Sequence, residues 1–204
     1  MTLNVMIDLE TLGVNPGCAI MSIGAVRFDE TELLGEPFYY EISLASCRAV
    51  GLVVEKDTRN WWRGQAASLY DRTLNGDGED LPYILTRFNS WAPTGMWNIW
   101  SNGAAFDIPI LTVAYRACGF LAPPWRPFSD RCYRTLKNLR PEIKMNRVGE
   151  AHDALDDARS QARHAIELLK LLQGPPATGG GSWPASPPDT GLSGPAYLPG
   201  DHPV

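Results

Sequence analysis

One short segment near the start constrains this chain more than any other: the apolar run Leu3 to Asp8, which reads as a strand, leads straight into Leu9 and a second carboxylate, Glu10. In an extended strand residues two apart share a face, so Asp8 and Glu10 project side by side while Ile7 and Leu9 point the other way. Two carboxylates that close repel each other, and crowding them against a sheet costs free energy unless a cation or hydrogen bonds compensate. Hard oxygen ligands of this kind suit Mg²⁺ or Mn²⁺. The same residues also fit a simple solvated strand end.

The residues that follow predict an α/β fold. Gly13-Val14-Asn15-Pro16-Gly17 is turn material, and Ala19 to Phe28 reads as a second strand, so a hairpin with a loop is expected rather than a helical crossover. Pro37 to Leu44, rich in aromatic and β-branched residues, predicts a third strand. Three strands in succession begin an antiparallel meander. Helical patterning follows, with Asp57-Thr58 able to cap a helix through Trp61-Trp62, and Glu79 to Trp91 as a further candidate. Met96 to Ser101 returns to strand. Asp107-Ile108-Pro109 looks like a helix start, with Pro where a missing N–H costs nothing, and that helix should end near Cys118-Gly119. In the last helix, from about Asp153 to Gln173, Leu155, Ala158, Ala162, Ile166, Leu169 and Leu172 recur at helical spacing and form one apolar face. Residues 174–204 are about half Pro plus Gly with no Lys or Arg, and are read as a disordered tail. Trp183 and Tyr197 are isolated aromatics within it.

The 204 residues, 44% hydrophobic and 20% charged, suffice for one sizeable core. The net charge of −5 gives no global attraction for a polyanion, so nucleic acid would have to be held by metals or by a local basic surface. Such a surface is available: Arg126, Arg131, Arg134, Lys137, Arg140, Lys144 and Arg147 fall in one stretch, opposed only by Asp130 and Glu142. Their spacing predicts a positive stripe on a helix upstream of His152 that follows a phosphate backbone, or else an ordinary solvated face. The four cysteines form no C-x-x-C pair and, with only three histidines present, are read as reduced thiols rather than a zinc site. No apolar run approaches the ~20 residues needed to span a bilayer, which predicts a soluble cytoplasmic protein with no membrane partner.

Two further segments carry acidic residues at structurally suggestive places. Asp107 follows Ser101-Asn102-Gly103-Ala104-Ala105-Phe106, where a strand has ended and a helix begins. It could simply cap that helix, or face a site at the end of the sheet. His152-Asp153-Ala154-Leu155-Asp156-Asp157 opens the final helix, and Asp156 and Asp157 differ by about 100° around it, so only one should enter a given site.

Taken together, Asp8-x-Glu10, Asn102-x-x-x-Phe106-Asp107 and His152-x-Ala154-x-x-Asp157 resemble the three exonuclease motifs of the DnaQ-like superfamily. The match is to the DEDDh branch, named for four acidic residues and a histidine. Met6 to Gly13, Ser22 to Val26, Ala154 to Arg159, and Trp61-Trp62 before Gln65 look closest to phage and bacterial exonuclease-VIII-like proteins and to a mycobacterial exoribonuclease group. The resemblance covers about residues 3 to 173. The sister branch carries a tyrosine four residues before the last aspartate, a place held here by Asp153; His152, five before Asp157, fits the histidine branch and selects Asp157 over Asp156. Leu12 stands where Gly is common after the Thr, a departure that bears on how the terminal nucleotide seats.

The resemblance implies a ribonuclease-H-like mixed sheet, an antiparallel meander then parallel strands, flanked by helices. It implies a 3'→5' exonuclease using two divalent cations, Mg²⁺ or Mn²⁺. Asp8 would touch both, Glu10 and Asp157 the one on the nucleophile side, and Asp107 the second; His152 would take a proton from water, imidazole being suited to that task near neutrality. Thr11, Leu12, Asn102 and Phe106 would meet the terminal nucleotide, with core packing the alternative for Leu12 and Phe106. Trp61 and Trp62 cannot share one helix face, so one should pack inward; Trp61 is assigned to substrate, as is Arg134. The expected partner is nucleic acid with a free 3' end, in a bacterial or phage-infected cytoplasm, and a homodimer is expected because the related group includes dimers. The rival readings are a catalytically silent nucleic-acid-binding module of the same fold and a ribonuclease-H-type endonuclease.

Overall fold

The computed structural model describes residues 3–64, 68–150 and 152–173; Gln65 and the tail expected from 174 to 204 lie outside the described residues. The sheet is built from β1 (Leu3–Thr11), β2 (Ile20–Phe28), β3 (Leu33–Glu41), β4 (Trp97–Ser101) and β5 (Asp130–Cys132). Its order is β3-β2-β1-β4-β5. The first three strands are antiparallel neighbours, whereas β4 runs parallel to β1 and β5 parallel to β4. The expected meander followed by parallel strands is therefore present, with β1 at the centre.

The helices are α1 (Leu44–Ala49), α2 (Lys56–Arg63), α3 (Ser68–Asn75), α4 (Leu81–Trp91), α5 (Asp107–Ala117), α6 (Tyr133–Asn138) and α7 (Ala154–Gln173). Three features differ from the sequence expectation. The third strand ends at Glu41, because Leu44 already belongs to α1, whose first turn is capped by the Ser43 hydroxyl accepting the Ser46 N–H. The basic run from Arg126 to Arg147 is not one helical stripe: Arg131 lies in β5, only Arg134 and Lys137 lie on the short α6, and Arg140, Lys144 and Arg147 lie in the connection to α7. Pro141 stops helical propagation there. Finally, Phe106 rather than Asp107 occupies the N-cap position of α5, so Asp107 does not perform the capping job open to it.

Alternation along β1 divides the interior into two cores. Val5, Ile7 and Leu9 join a large cluster with Ile23, Ile42, Leu85, Phe88, Ile99 and Leu111. Met6 faces the other way and packs with Val26, Phe28, Trp100 and the α7 residues Ala158, Ala162, Ala165 and Ile166. Asp8 and Glu10 continue the Met6 face, at the point where apolar packing gives way to a cleft. The run of alanines on α7 lets its backbone lie close to the sheet, with Leu155 and Leu169 partly buried beside it. Leu172, expected on the same face, is exposed near the end of the helix.

The start of α7 lies directly against Gly24 in β2. A Cβ there would overlap the Ala154 carbonyl and the Leu155 nitrogen, all backbone atoms that cannot swing aside. Gly24→Ala is expected to cost about 1–3 kcal/mol through overpacking, read as a lower urea midpoint at unchanged m-value, and to displace the α7 end that carries His152 and Asp157.

Candidate active site

The cleft at the end of β1 holds about 430 Å³ and gathers residues from five elements or their flanking loops. Its floor is acidic. Asp8 and Glu10 come from β1, whose register with β2 shifts between Glu10 and Thr11. Asp157 enters from the first turn of α7, where the helix N-terminus favours negative charge. Carboxylate oxygens of Asp8, Glu10 and Asp157 lie within 4.8 Å of one another. Asp107, buried at the start of α5, lines the same cleft and accepts the Leu9 N–H at 3.2 Å, which ties the second motif to the first. Gln161 Nε2 donates to Asp8 Oδ1 at 2.8 Å.

The electrostatics of this floor are unfavourable by themselves. Burial pushes Glu10 up to about 8, reinforced by the charges of Asp157 and Asp107. Asp8 rises well above the usual carboxylate range through burial and the neighbouring Asp107 and Glu10, opposed by its Gln161 hydrogen bond. Burial holds Asp107 up at about 7, although the Leu9 N–H stabilises its anion. A donor set made only of hard oxygens, crowded until it holds protons near neutral pH, fits divalent cations: positive charge would replace the protons. Two residues that line this cleft, Gln161 and Asn102, keep a buried amide oxygen, Oε1 and Oδ1, with no hydrogen-bond partner.

His152 stands at the rim. Its backbone is left-handed (φ 64°), a strained choice for a side chain without glycine's freedom. Its N–H lies 3.4 Å from Asp157 Oδ2, which fixes the turn to the helix it precedes. The imidazole meets Trp61 and Trp62 edge to face, with ring centroids 5.3 and 6.2 Å away. Trp62 packs inward, only 4% exposed, and donates its indole N–H to the Thr11 carbonyl at 2.9 Å; Trp61 is 46% exposed. The two tryptophans, Thr11, Val14 and Phe106 line a second, more apolar cleft of about 400 Å³ that shares Leu9, Glu10 and Phe106 with the first.

The structure therefore brings Asp8, Glu10, Asp107, Asp157, His152, Asn102, Phe106 and Arg134 to one cleft, and Thr11 and Trp61 to its neighbour. Leu12 is the exception. Its side chain is wholly buried in the larger core, so the expected contact with a terminal nucleotide is corrected: Leu12 supports the turn from beneath. Thr11 presents less than expected, because its hydroxyl already donates to the Gly13 carbonyl at 2.6 Å. The sequence assigns no site role to Leu9, Tyr133, Met145 or Gln161, which also line the cleft. Gln161 could have been found, since it lies one helical turn beyond Asp157 and so shares its face.

The family model described as the 3'-5' exoribonuclease Rv2179c-like domain matches residues 3–169. The chain belongs to that family. No curated protein matches it. Among solved structures, this chain is similar to E. coli exonuclease I in complex with a dT13 oligonucleotide (TM-score 0.62, 17% identity, 85% of this chain and 43% of that one). It is also similar to the nuclease domain of 3'hExo, a DEDDh family member bound to rAMP (TM-score 0.53, 15% identity, 84% of this chain and 92% of that one). Exonuclease X in complex with 5' overhanging duplex DNA gives a TM-score of 0.54 at 16% identity, covering 83% of this chain and 93% of that one. The chain thus spans less than half of exonuclease I, and at such identities these likenesses speak for the fold, a ribonuclease-H-like mixed sheet. The family's description is that of a 3'→5' exonuclease, the activity the three motifs lead one to expect. Among the described residues no helix is long and apolar enough to cross a membrane.

The raised acids make a signed prediction. A carboxyl whose folded-state pKa exceeds its unfolded value binds more protons when folded, so stability is fullest below the unfolded value and is lost as pH rises through the folded one. For Glu10 that window runs from 4.5 to about 8. In EDTA, urea unfolding should show stability falling across this window, and Glu10→Gln should flatten the decline.

Proposed function

We propose that this 3'→5' exonuclease removes nucleoside 5'-monophosphates from single-stranded RNA, with Asp8, Glu10, Asp107 and Asp157 holding two divalent cations and His152 acting as general base. The observation that supports this reading best is the convergence of four carboxylates and one histidine, drawn from separate elements, on a single cleft. RNA is favoured because the matching family is described as exoribonuclease. The exonuclease domain is taken as residues 1–173.

Asp8 lies between the other acids and is suited to both cation positions, with Glu10 and Asp157 on the nucleophile side and Asp107 at the second. When bound, a pair of Mg²⁺ or Mn²⁺ ions would acidify the attacking water and draw charge from the departing 3' oxygen. Gln161 holds the Asp8 carboxylate in orientation through its hydrogen bond. His152 accepts the proton of the water at the cleft rim, its ring braced by the two tryptophans. The apolar cleft of Trp61, Val14 and Phe106 receives the terminal nucleoside, where an exposed indole offers a stacking face. Asn102, which lines the acidic cleft beside Phe106, meets the sugar of that nucleoside. Arg134, whose Nη2 donates to the Asn102 carbonyl at 2.9 Å, contacts backbone phosphate. The partner is nucleic acid with a free 3' end, and a homodimer is the assembly the resemblance implies, which light scattering on the full chain would test.

The test uses 5'-labelled RNA and DNA oligonucleotides with Mg²⁺, Mn²⁺ or EDTA. A metal-dependent ladder shortening from the 3' end, faster on RNA, is the expected result. Asp157→Ala should abolish it, and His152→Ala should slow it by about 10²–10⁴-fold, the usual contribution of a general base. A ladder on DNA alone would overturn the substrate assignment, and no cleavage with either metal would overturn the mechanism.

A further inference from the structure

We propose that Arg147 is a phosphate-binding residue kept in reserve on Asp157: it neutralises that carboxylate while the cation site is empty and transfers to a substrate phosphate once a cation takes its place. The inference rests on the reading of Asp157 as a metal ligand. Arg147 lies in the connection between α6 and α7, and its guanidinium donates to Asp157 Oδ1, one of the three carboxylates gathered on the cleft floor. The Arg147 side chain is 43% exposed, so it is held by this contact and not by packing.

Three cations line this cleft, and they are differently engaged. Arg134 donates to a backbone carbonyl. Lys137 lies over the Tyr133 ring, 5.4 Å from its centroid. Among the described residues only Arg147 of the three forms an ion pair with a carboxylate. A guanidinium and a divalent cation held on one carboxylate repel each other at close range, so each weakens the other's hold on Asp157 and the two compete. The loop that carries Arg147 is anchored on either side of it: before it Met145 packs on the α7 core and accepts the Tyr133 hydroxyl at 3.3 Å, and after it Val148 N–H donates to the Ser160 hydroxyl at 2.9 Å and Glu150 N–H to Asp156 Oδ2 at 3.0 Å. Release from Asp157 therefore leaves the guanidinium over the cleft rather than free in solvent. There it joins Arg134 and Lys137 on the wall, and its planar fork matches a phosphate in two-point fashion. The exchange makes metal and substrate binding mutually supporting: the cation frees the arginine, and the phosphate that takes the arginine removes the cation's competitor.

The experiment is isothermal titration of the full-length protein with Mn²⁺ alone, for wild type, Arg147→Ala and Arg134→Ala, followed by anisotropy with a phosphorothioate oligonucleotide that resists cleavage. Losing an exposed ion pair to Asp157 should tighten Mn²⁺ binding in Arg147→Ala by about two- to fivefold. The same variant should bind the oligonucleotide more weakly, with a salt slope smaller by about 0.7. The charge of Arg134 reaches Asp107 without an ion pair, so Arg134→Ala should tighten Mn²⁺ binding by less than Arg147→Ala while also weakening the oligonucleotide. Equal Mn²⁺ affinity in wild type and Arg147→Ala, or equal tightening in both variants, overturns the proposal and leaves the metal site standing. Asp157→Ala separates the readings: if Mn²⁺ binding survives that change undiminished, the assignment of Asp157 as a ligand fails first. Metal-free melting curves show that each variant folds.

Discussion

Like charges at close range dominate this molecule. Four carboxylates from β1, α5 and α7 are held against one another by elements whose packing elsewhere is apolar, and the fold must supply the free energy that keeps them together. The two cores do so from opposite sides of β1, which is why the acidic pair sits at the end of the central strand. An edge strand, packed on one side only and free to fray, could not hold Glu10 in a place where burial keeps its proton near neutral pH. The cluster is a poor solution for stability and a good one for holding positive charge.

The hydrogen bonds around the floor show how the separate motifs become one site. The Leu9 N–H reaches Asp107 while the side chain of Leu9 is buried in the larger core, so a single residue connects hydrophobic packing to the position of an acid. Gln161 does the same from the other face, reaching Asp8 from a helix whose alanines fix its distance from the sheet. Trp62 anchors α2 to the end of β1 through the Thr11 carbonyl, and in doing so places Trp61 beside His152. Each link is made by a buried residue, Leu9 and Trp62 from the larger core and Gln161 from the helix packed on the smaller one.

How much of this was legible in the sequence depends on how local the governing physics was. The shared face of Asp8 and Glu10 follows from strand periodicity alone, and the long α7 from its apolar repeat. The outward and inward tryptophans follow from helical geometry. Leu12 was not legible in this way: whether a leucine after a strand lies over a cleft or beneath it is decided by the turn to Ala19, whose carbonyl accepts the Leu12 N–H at 2.8 Å. The three-residue β5 carries no strand pattern and exists because β4 offers it an edge. The basic run misled for a related reason, since regular spacing of Arg and Lys mimics a helix face even where Pro141 ends the helix. Asp107 carried two equally local meanings, and only the long-range bond to Leu9 chose between them.

Gly24 has a wider consequence. The gap between α7 and the sheet is set there by the absence of a methyl group, so the floor of the cleft has a width defined by backbone touching backbone. The walls have no such origin: Trp61, Arg134 and Arg147 are exposed or partly exposed side chains standing on elements that keep their place without them. Reactivity and selectivity are thereby assigned to separate parts of the architecture, one rigid and one open to revision. A designer seeking a different sugar, base or strand preference could rewrite the walls without moving that floor, provided the contacts of Trp61 with His152 and of Arg147 with Asp157 are replaced.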